Sequence, residues 1–338
     1  MMAKHIALIH AGGTIGMAPT PNGLAPMPGF ADLLDQALAR CAAPLPRYTL
    51  LPLAQPIDSA NATPQDWRTL AQEVSTRYQD YDGFVILHGT DTMAFSAAAL
   101  SFMLQGLRKP VVLTGAQVPL SVPGNDALQN VIDALRAASA GICTEVAICF
   151  AGKLLRGNRS TKISASAFDA FDSPNHPPLA RFADGELAWN AAALLPSMSV
   201  ERFTLPEYGK ATVLSLRFAP GLPLAALEAL LACHPHALIL DCYGSGNAPD
   251  RDPALQTILK QASDAGAVLL ARTQCLHGKA ATGAYAAGAA LADAGVVSVA
   301  DLGFEAAYAK MHHLFACGMS PAQVRQAIIE PLAGELSI

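Results

Sequence analysis

Three polar clusters each follow a short apolar run, and each carries a side chain able to attack a carbonyl or move a proton. The first is His10-Ala11-Gly12-Gly13-Thr14-Ile15-Gly16-Met17, directly after the apolar run 6–9. Open parallel sheets bind ligands at their carboxyl ends, so a threonine hydroxyl there is placed to react, and paired glycines let the backbone approach a small molecule closely. The glycine pattern is G-G-x-x-G, not the G-x-G-x-x-G of a dinucleotide loop, and no acidic residue closes a second strand as a ribose reader would. Taken alone, the cluster fits a tight strand–loop turn as well as a nucleophile.

The second cluster, His88-Gly89-Thr90-Asp91-Thr92-Met93, lies between an expected strand (84–88) and an expected helix (92–107). Backbone amides at such a helix start can stabilise a developing oxyanion. One of Thr90, Asp91 and Thr92 would also serve as a helix cap, but the cluster is richer than a cap requires. His88 reads as a buried, hydrogen-bonded histidine, not as a base. The third cluster is Arg156-Gly157-Asn158-Arg159-Ser160-Thr161-Lys162. By itself Lys162 reads as a solvated charge; partly desolvated beside Thr90 and Asp91, such an amine could accept a proton. Threonine is a feeble nucleophile at neutral pH, so a reacting Thr14 needs a base of this kind. The chain has no G-x-S-x-G elbow, H-E-x-x-H helix or G-x-x-x-x-G-K-[ST] phosphate loop, which points to a cofactor-free nucleophile.

The elements that must hold these clusters are short apolar runs at 6–10, 84–88, 111–114, 146–150, 213–218, 238–242 and 268–271, alternating with helical patterns at 30–40, 64–78, 92–107, 126–138, 253–265 and 321–329. Most of the runs are apolar on both faces, as in parallel sheets covered by helices, so the class is α/β. Pro64 and Pro321 suit first-turn positions behind the N-caps Thr63 and Ser320. Residues 173–210 carry five prolines and little periodicity. This places an N-terminal α/β catalytic domain at 1–190, a linker at 191–210 and a smaller C-terminal α/β domain at 211–338.

The 338 residues are 52% hydrophobic, enough for a large core, or for a core and a buried subunit interface. A net charge of −5 offers no polybasic surface for nucleic acid or anionic lipid. The seven cysteines are scattered, with no C-x-x-C spacing, and read as reduced thiols. Neither a secretory signal nor an apolar stretch long enough to span a bilayer is visible. The expected location is the cytoplasm, with no membrane or nucleic-acid partner.

Across nearly the whole chain these residues resemble the bacterial-type L-asparaginases, in particular their cytoplasmic type I branch. The resemblance is carried by Ala11-Gly12-Gly13-Thr14-Ile15-Gly16, by the run from Asp82 to Met93, by Asp58-Ser59 with Thr63-Pro64, by Gly157-Asn158-Arg159, and by Tyr243-Gly244 with Gly246-Asn247-Ala248-Pro249. It implies a flavodoxin-like N-terminal parallel sheet flanked by helices, a smaller C-terminal domain, and a homodimer or homotetramer with sites near a subunit contact. It makes Thr14 the nucleophile and Thr90, Asp91 and Lys162 the proton-handling triad. Ser59 and Asp91 would hold the substrate's α-carboxylate and α-amino groups, with Asp58 alongside, and the carbonyl of Ala116 would receive the amide nitrogen. No metal or cofactor is implied; the expected substrate is asparagine, with glutamine a weaker one.

Two positions depart from the family pattern. Leu24 stands where a tyrosine is usual, on a glycine-bracketed stretch (16–29) expected to act as a lid. Asp241 stands where some type I enzymes carry an arginine that binds a regulatory asparagine; an acid would repel that carboxylate, so no activation of this kind is expected. Two other readings are an ammonia-releasing subunit of a tRNA-dependent amidotransferase and a catalytically inactive amino-acid sensor.

Overall fold

The structure, a computed structural model, describes residues 4–42, 44–183, 185–196, 203, 205–249, 252–281 and 286–337. The chain divides into two compact units, residues 1–205 and 206–338. Residues 197–202 and 204 of the expected linker lie outside the described residues, whereas 191–195 are tied to the first unit. Arg156 Nη2 donates to the Ala193 carbonyl at 2.7 Å, and the Leu195 amide donates to Glu145 Oε1 at 3.0 Å.

The first unit runs β1 (His5–His10), β2 (Met17–Thr20), β3 (Gly23–Pro26), α1 (Phe30–Ala39), β4 (Arg47–Pro52), α2 (Pro64–Thr76), β5 (Gly83–Leu87), α3 (Met93–Met103), β6 (Val111–Thr114), α4 (Ala127–Ala140), β7 (Val146–Phe150), β8 (Lys153–Arg156), β9 (Thr161–Lys162), β10 (Phe171–Asp172), β11 (Ala180–Ala183) and β12 (Glu186–Trp189). Its main sheet has the order β12-β11-β8-β7-β6-β5-β1-β4. From β4 to β7 the pairs are parallel, and from β7 to β12 they are antiparallel. Numbered by occurrence, the parallel strands stand in the order second, first, third, fourth, fifth. This is the flavodoxin-like arrangement, with its topological switch point between β1 and β5.

The strands β5, β6 and β7 are buried at every position because helices cover both faces. α1 and α4 close one face over a cluster that includes Ile6, Leu8, Leu34, Val85, Val131 and Leu135. α2 and α3 close the other. The alanines of α3 (MAFSAAALSFM) let it lie between the sheet and the turn Gly157–Arg159. A Cβ on Gly157 would sit 3.1 Å from Ala97 Cβ and 3.0 Å from the Val146 carbonyl oxygen, so glycine sets that approach. Thr63 and Asp66 form a capping box on α2, the Thr63 amide donating to Asp66 Oδ2 at 2.7 Å. Residues 16–29, expected as an irregular lid, include the antiparallel hairpin β2–β3, with Leu24 paired opposite Pro19.

The second unit runs β13 (Val213–Arg217), α5 (Leu224–Leu231), β14 (Ala237–Cys242), α6 (Pro253–Asp264), β15 (Val268–Thr273), α7 (Ala286–Asp293), β16 (Val296–Ser298), α8 (Phe304–Ala316) and α9 (Pro321–Ala327). Its four strands pair in chain order and all in parallel. Ser320 caps α9 in a capping box with Gln323. Asp241, next to last in β14, pairs with Arg272 of β15, whose Nη1 donates to its Oδ1 at 2.6 Å. The acid expected to repel a carboxylate thus has a guanidinium beside it. Among the described residues no helix is long and apolar enough to cross a membrane.

Candidate active site

The switch point brings together loops that are far apart in sequence. β1 pairs with both β4 and β5, so the segments leaving these strands emerge side by side. The Ala11 amide donates to the Leu87 carbonyl at 2.9 Å, and the Ile57 amide donates to the Ala11 carbonyl at 2.6 Å. Two glycines make the fit possible. A Cβ on Gly12, at φ 122°, would lie 2.5 Å from the Ile57 carbonyl oxygen. A Cβ on Gly13, at φ 92°, would lie 2.6 Å from Gly89 Cα and 2.7 Å from the His88 carbonyl carbon. Gly89 in turn has no room for a side chain beside Ser59. Thr14 and Thr90 are thus the residues that follow two backbones pressed together.

Each side chain has a local reason for its place. Thr14 opens a short 3-10 turn, Thr14–Gly16, closed by the Gly16 amide on the Gly13 carbonyl at 3.1 Å. Ser59, buried, opens the turn Ser59–Asn61. Both Asp58 oxygens serve that turn: Oδ1 accepts from the Ala60 amide at 3.1 Å and Oδ2 from Asn61 Nδ2 at 2.6 Å. Asp58 therefore holds Ser59 in position. Thr92 Oγ1 donates to the Ser59 carbonyl at 2.8 Å, joining this turn to the start of α3.

Lys162 reaches the same place from β9. Its Nζ donates to Thr90 Oγ1 at 2.7 Å and to Asp91 Oδ1 at 2.9 Å. The lysine side chain is 19% exposed and the Asp91 side chain 64%, so an amine shielded from water meets a carboxylate open to it. β9 is held by its pairing with β10, Lys162 opposite Phe171. Lys153 secures β10, donating to the Phe171 carbonyl at 2.9 Å and pairing with Asp169 at 2.5 Å.

Ala116 is buried between two tethered neighbours. The Gly115 carbonyl accepts from Asn130 Nδ2 at 3.0 Å, and the Gln117 amide donates to Asp126 Oδ2 at 3.0 Å. Nothing in the local sequence singles out the Gln117 side chain. Its Oε1 accepts from Thr90 Oγ1 at 3.4 Å, and its Nε2 donates to the Ala167 carbonyl at 3.1 Å in the stretch between β9 and β10.

Burial pushes the pKa of both His10 and His88 down, and His88 is 1% exposed. No group of His, Cys, Asp and Glu able to hold a metal ion occurs among the described residues. The arrangement offers a hydroxyl beside a closed backbone junction, a second hydroxyl joined to an amine, and an exposed carboxylate.

The family description "Asparaginase, N-terminal" matches residues 5–195, and "Glutaminase/Asparaginase C-terminal domain" matches residues 212–328. L-asparaginase 1 of Escherichia coli is 39% identical over 100% of this chain and 99% of its own length. The 60 kDa lysophospholipase of Mus musculus is 36% identical over 99% of this chain, which spans 63% of that longer protein. The crystal structure of L-asparaginase I from Vibrio cholerae superposes with a TM-score of 0.91 at 36% identity, covering 99% of this chain and 100% of that one.

Proposed function

This chain belongs to the asparaginase family, and on that footing we propose that it releases ammonia from the side-chain amide of L-asparagine, with Thr14 as nucleophile. The observation that carries the reading is the Lys162 amine bonded to Thr90 and Asp91 where the Gly13 and Gly89 backbones meet. Thr14 Oγ1 attacks the side-chain carbonyl carbon and its proton passes into the Thr90–Lys162 relay. The oxyanion rests on backbone amides near Thr90. The C–N bond breaks, the leaving nitrogen takes a proton and departs as ammonia, and water then hydrolyses the β-aspartyl ester to aspartate and free Thr14.

Ser59 and Asp91 hold the substrate's α-carboxylate and α-amino groups; the exposed Asp91 carboxylate suits an ammonium. The Ala116 carbonyl receives the amide nitrogen. The reading also places the protein in the cytoplasm as a homodimer or homotetramer, in keeping with its seven free cysteines. Light scattering tests the assembly.

The experiment is ammonia release by the purified protein from asparagine and from glutamine, with Thr14→Ala as control. Release from asparagine is expected, with glutamine poorer by about 10- to 200-fold, the discrimination one methylene allows. Release should vanish in the folded Thr14→Ala protein. A folded Thr14→Ala protein with undiminished release would overturn the assignment.

A further inference from the structure

His88 takes no part in the reaction proposed above, yet it lies directly behind it, at 1% exposure. Its Nδ1 is 2.7 Å from the Gly89 carbonyl oxygen and its Nε2 is 3.0 Å from Ser96 Oγ on α3. A carbonyl oxygen can only accept, so Nδ1 carries the proton and Nε2 accepts from the Ser96 hydroxyl. Burial depresses the pKa of the ring, which keeps this single tautomer in place at neutral pH.

A trans peptide is planar, so the Gly89 carbonyl and the Thr90 N–H point in opposite directions. With the carbonyl held toward the buried ring, the N–H faces away from it. The Thr90 amide donates to no group among the described residues, although Thr90 is buried. A backbone donor with no protein partner is left for another molecule to fill. Gly89 lacks the Cβ that would restrain its backbone, and it can have none because Ser59 and Gly13 crowd it. The imidazole supplies the restraint that a side chain at this position cannot.

We propose that His88 is a positioning residue: it fixes the Gly89–Thr90 peptide with its N–H turned outward to receive the oxyanion of the reacting amide. This rests on the hydrolase reading above. If the peptide rotates, a carbonyl dipole replaces the N–H beside a developing negative charge, which destabilises the transition state while ground-state binding changes little.

Two variants of similar polarity separate positioning from packing. The side-chain amide nitrogen of His88→Asn can occupy the place of Nδ1 and donate to Gly89; that of His88→Gln reaches the place of Nε2 and cannot. Steady-state ammonia release is measured on both, with thermal melting to establish that each is folded. The expected result is kcat within about threefold of the parent for His88→Asn and about 10- to 100-fold lower for His88→Gln, with KM of both nearly unchanged. Equal kcat values for the two, at any level, or a change confined to KM would overturn the proposal. The parent protein and Thr14→Ala are run alongside. A parent without activity removes the hydrolase reading, whereas failure limited to the His88 pair removes this inference alone.

Discussion

Lys162 sets its side-chain nitrogen between two oxygens of one loop, Thr90 Oγ1 and Asp91 Oδ1, and the Thr90 hydroxyl donates to Gln117 Oε1. In the reaction proposed above, the proton that leaves Thr14 is taken up by way of Thr90 and this amine. Lys162→Met keeps the aliphatic bulk and removes the relay, so kcat should fall by about 10² or more, with KM less affected. Ammonia release by the folded variant measures this, and a kcat like the parent's would take Lys162 out of the mechanism. Thr90 and Asp91 stood out in the sequence because their cluster is richer than a helix cap needs, whereas Thr14 and Lys162 took their roles from the family resemblance. The Ser96 hydroxyl on His88 and the Gln117 carbonyl on Thr90 did not stand out. These contacts depend on α3 and on the end of β6, and a lone serine or glutamine in an apolar context carries no local mark of its partner.

Elements matter here through how closely they approach. The site exists because the backbone after β1 touches the backbone after β5, with no side chain at Gly13 or Gly89. Gly13→Ala meets both a positive φ and a collision with Gly89, and should lose roughly 2–5 kcal/mol of stability together with most of the activity. Gly141→Ala at the end of α4 has a φ of 68° but no close neighbour, a Cβ there meeting only Lys4 Nζ at 4.0 Å, so it should cost only about 1–2 kcal/mol and leave kcat unchanged. Chemical denaturation of the two variants makes the comparison, and equal losses would mean that the close approach has no energetic weight. The central strands were legible as uninterrupted apolar runs. The edge strand β4 (RYTLLP) and the pair β11–β12 were not, because strands open on one side alternate polar with apolar residues and blend into loops. The hairpin β2–β3 was hidden for a similar reason: prolines and exposed positions dominate it.

For the whole molecule, two compact units follow from two separate sets of apolar strands, and most of the Pro-rich stretch 173–210 belongs to the first of them, which ends at Leu205. The second unit also sets a limit on acid stability. Burial, with the nearby His236 adding a smaller effect, lowers His312 to about 4, and burial, with Lys310 second, lowers His313 to about 4. An unfolded histidine binds its proton below about 6.5. Between these values the unfolded chain holds more protons than the folded one. Stability is therefore lost as the pH falls from about 6.5 toward 4, by on the order of 2 kcal/mol or more per histidine. Urea midpoints should drop clearly between pH 7 and pH 5; a constant midpoint would contradict this.

Formation of a covalent intermediate on Thr14 is the central step of the proposed reaction. Acid quenching during the first turnover of asparagine, followed by peptide mapping by mass spectrometry, should find an aspartyl ester on the peptide that contains Thr14. The same adduct on the peptide that contains Thr90, with the Thr14 peptide unmodified, would contradict the account.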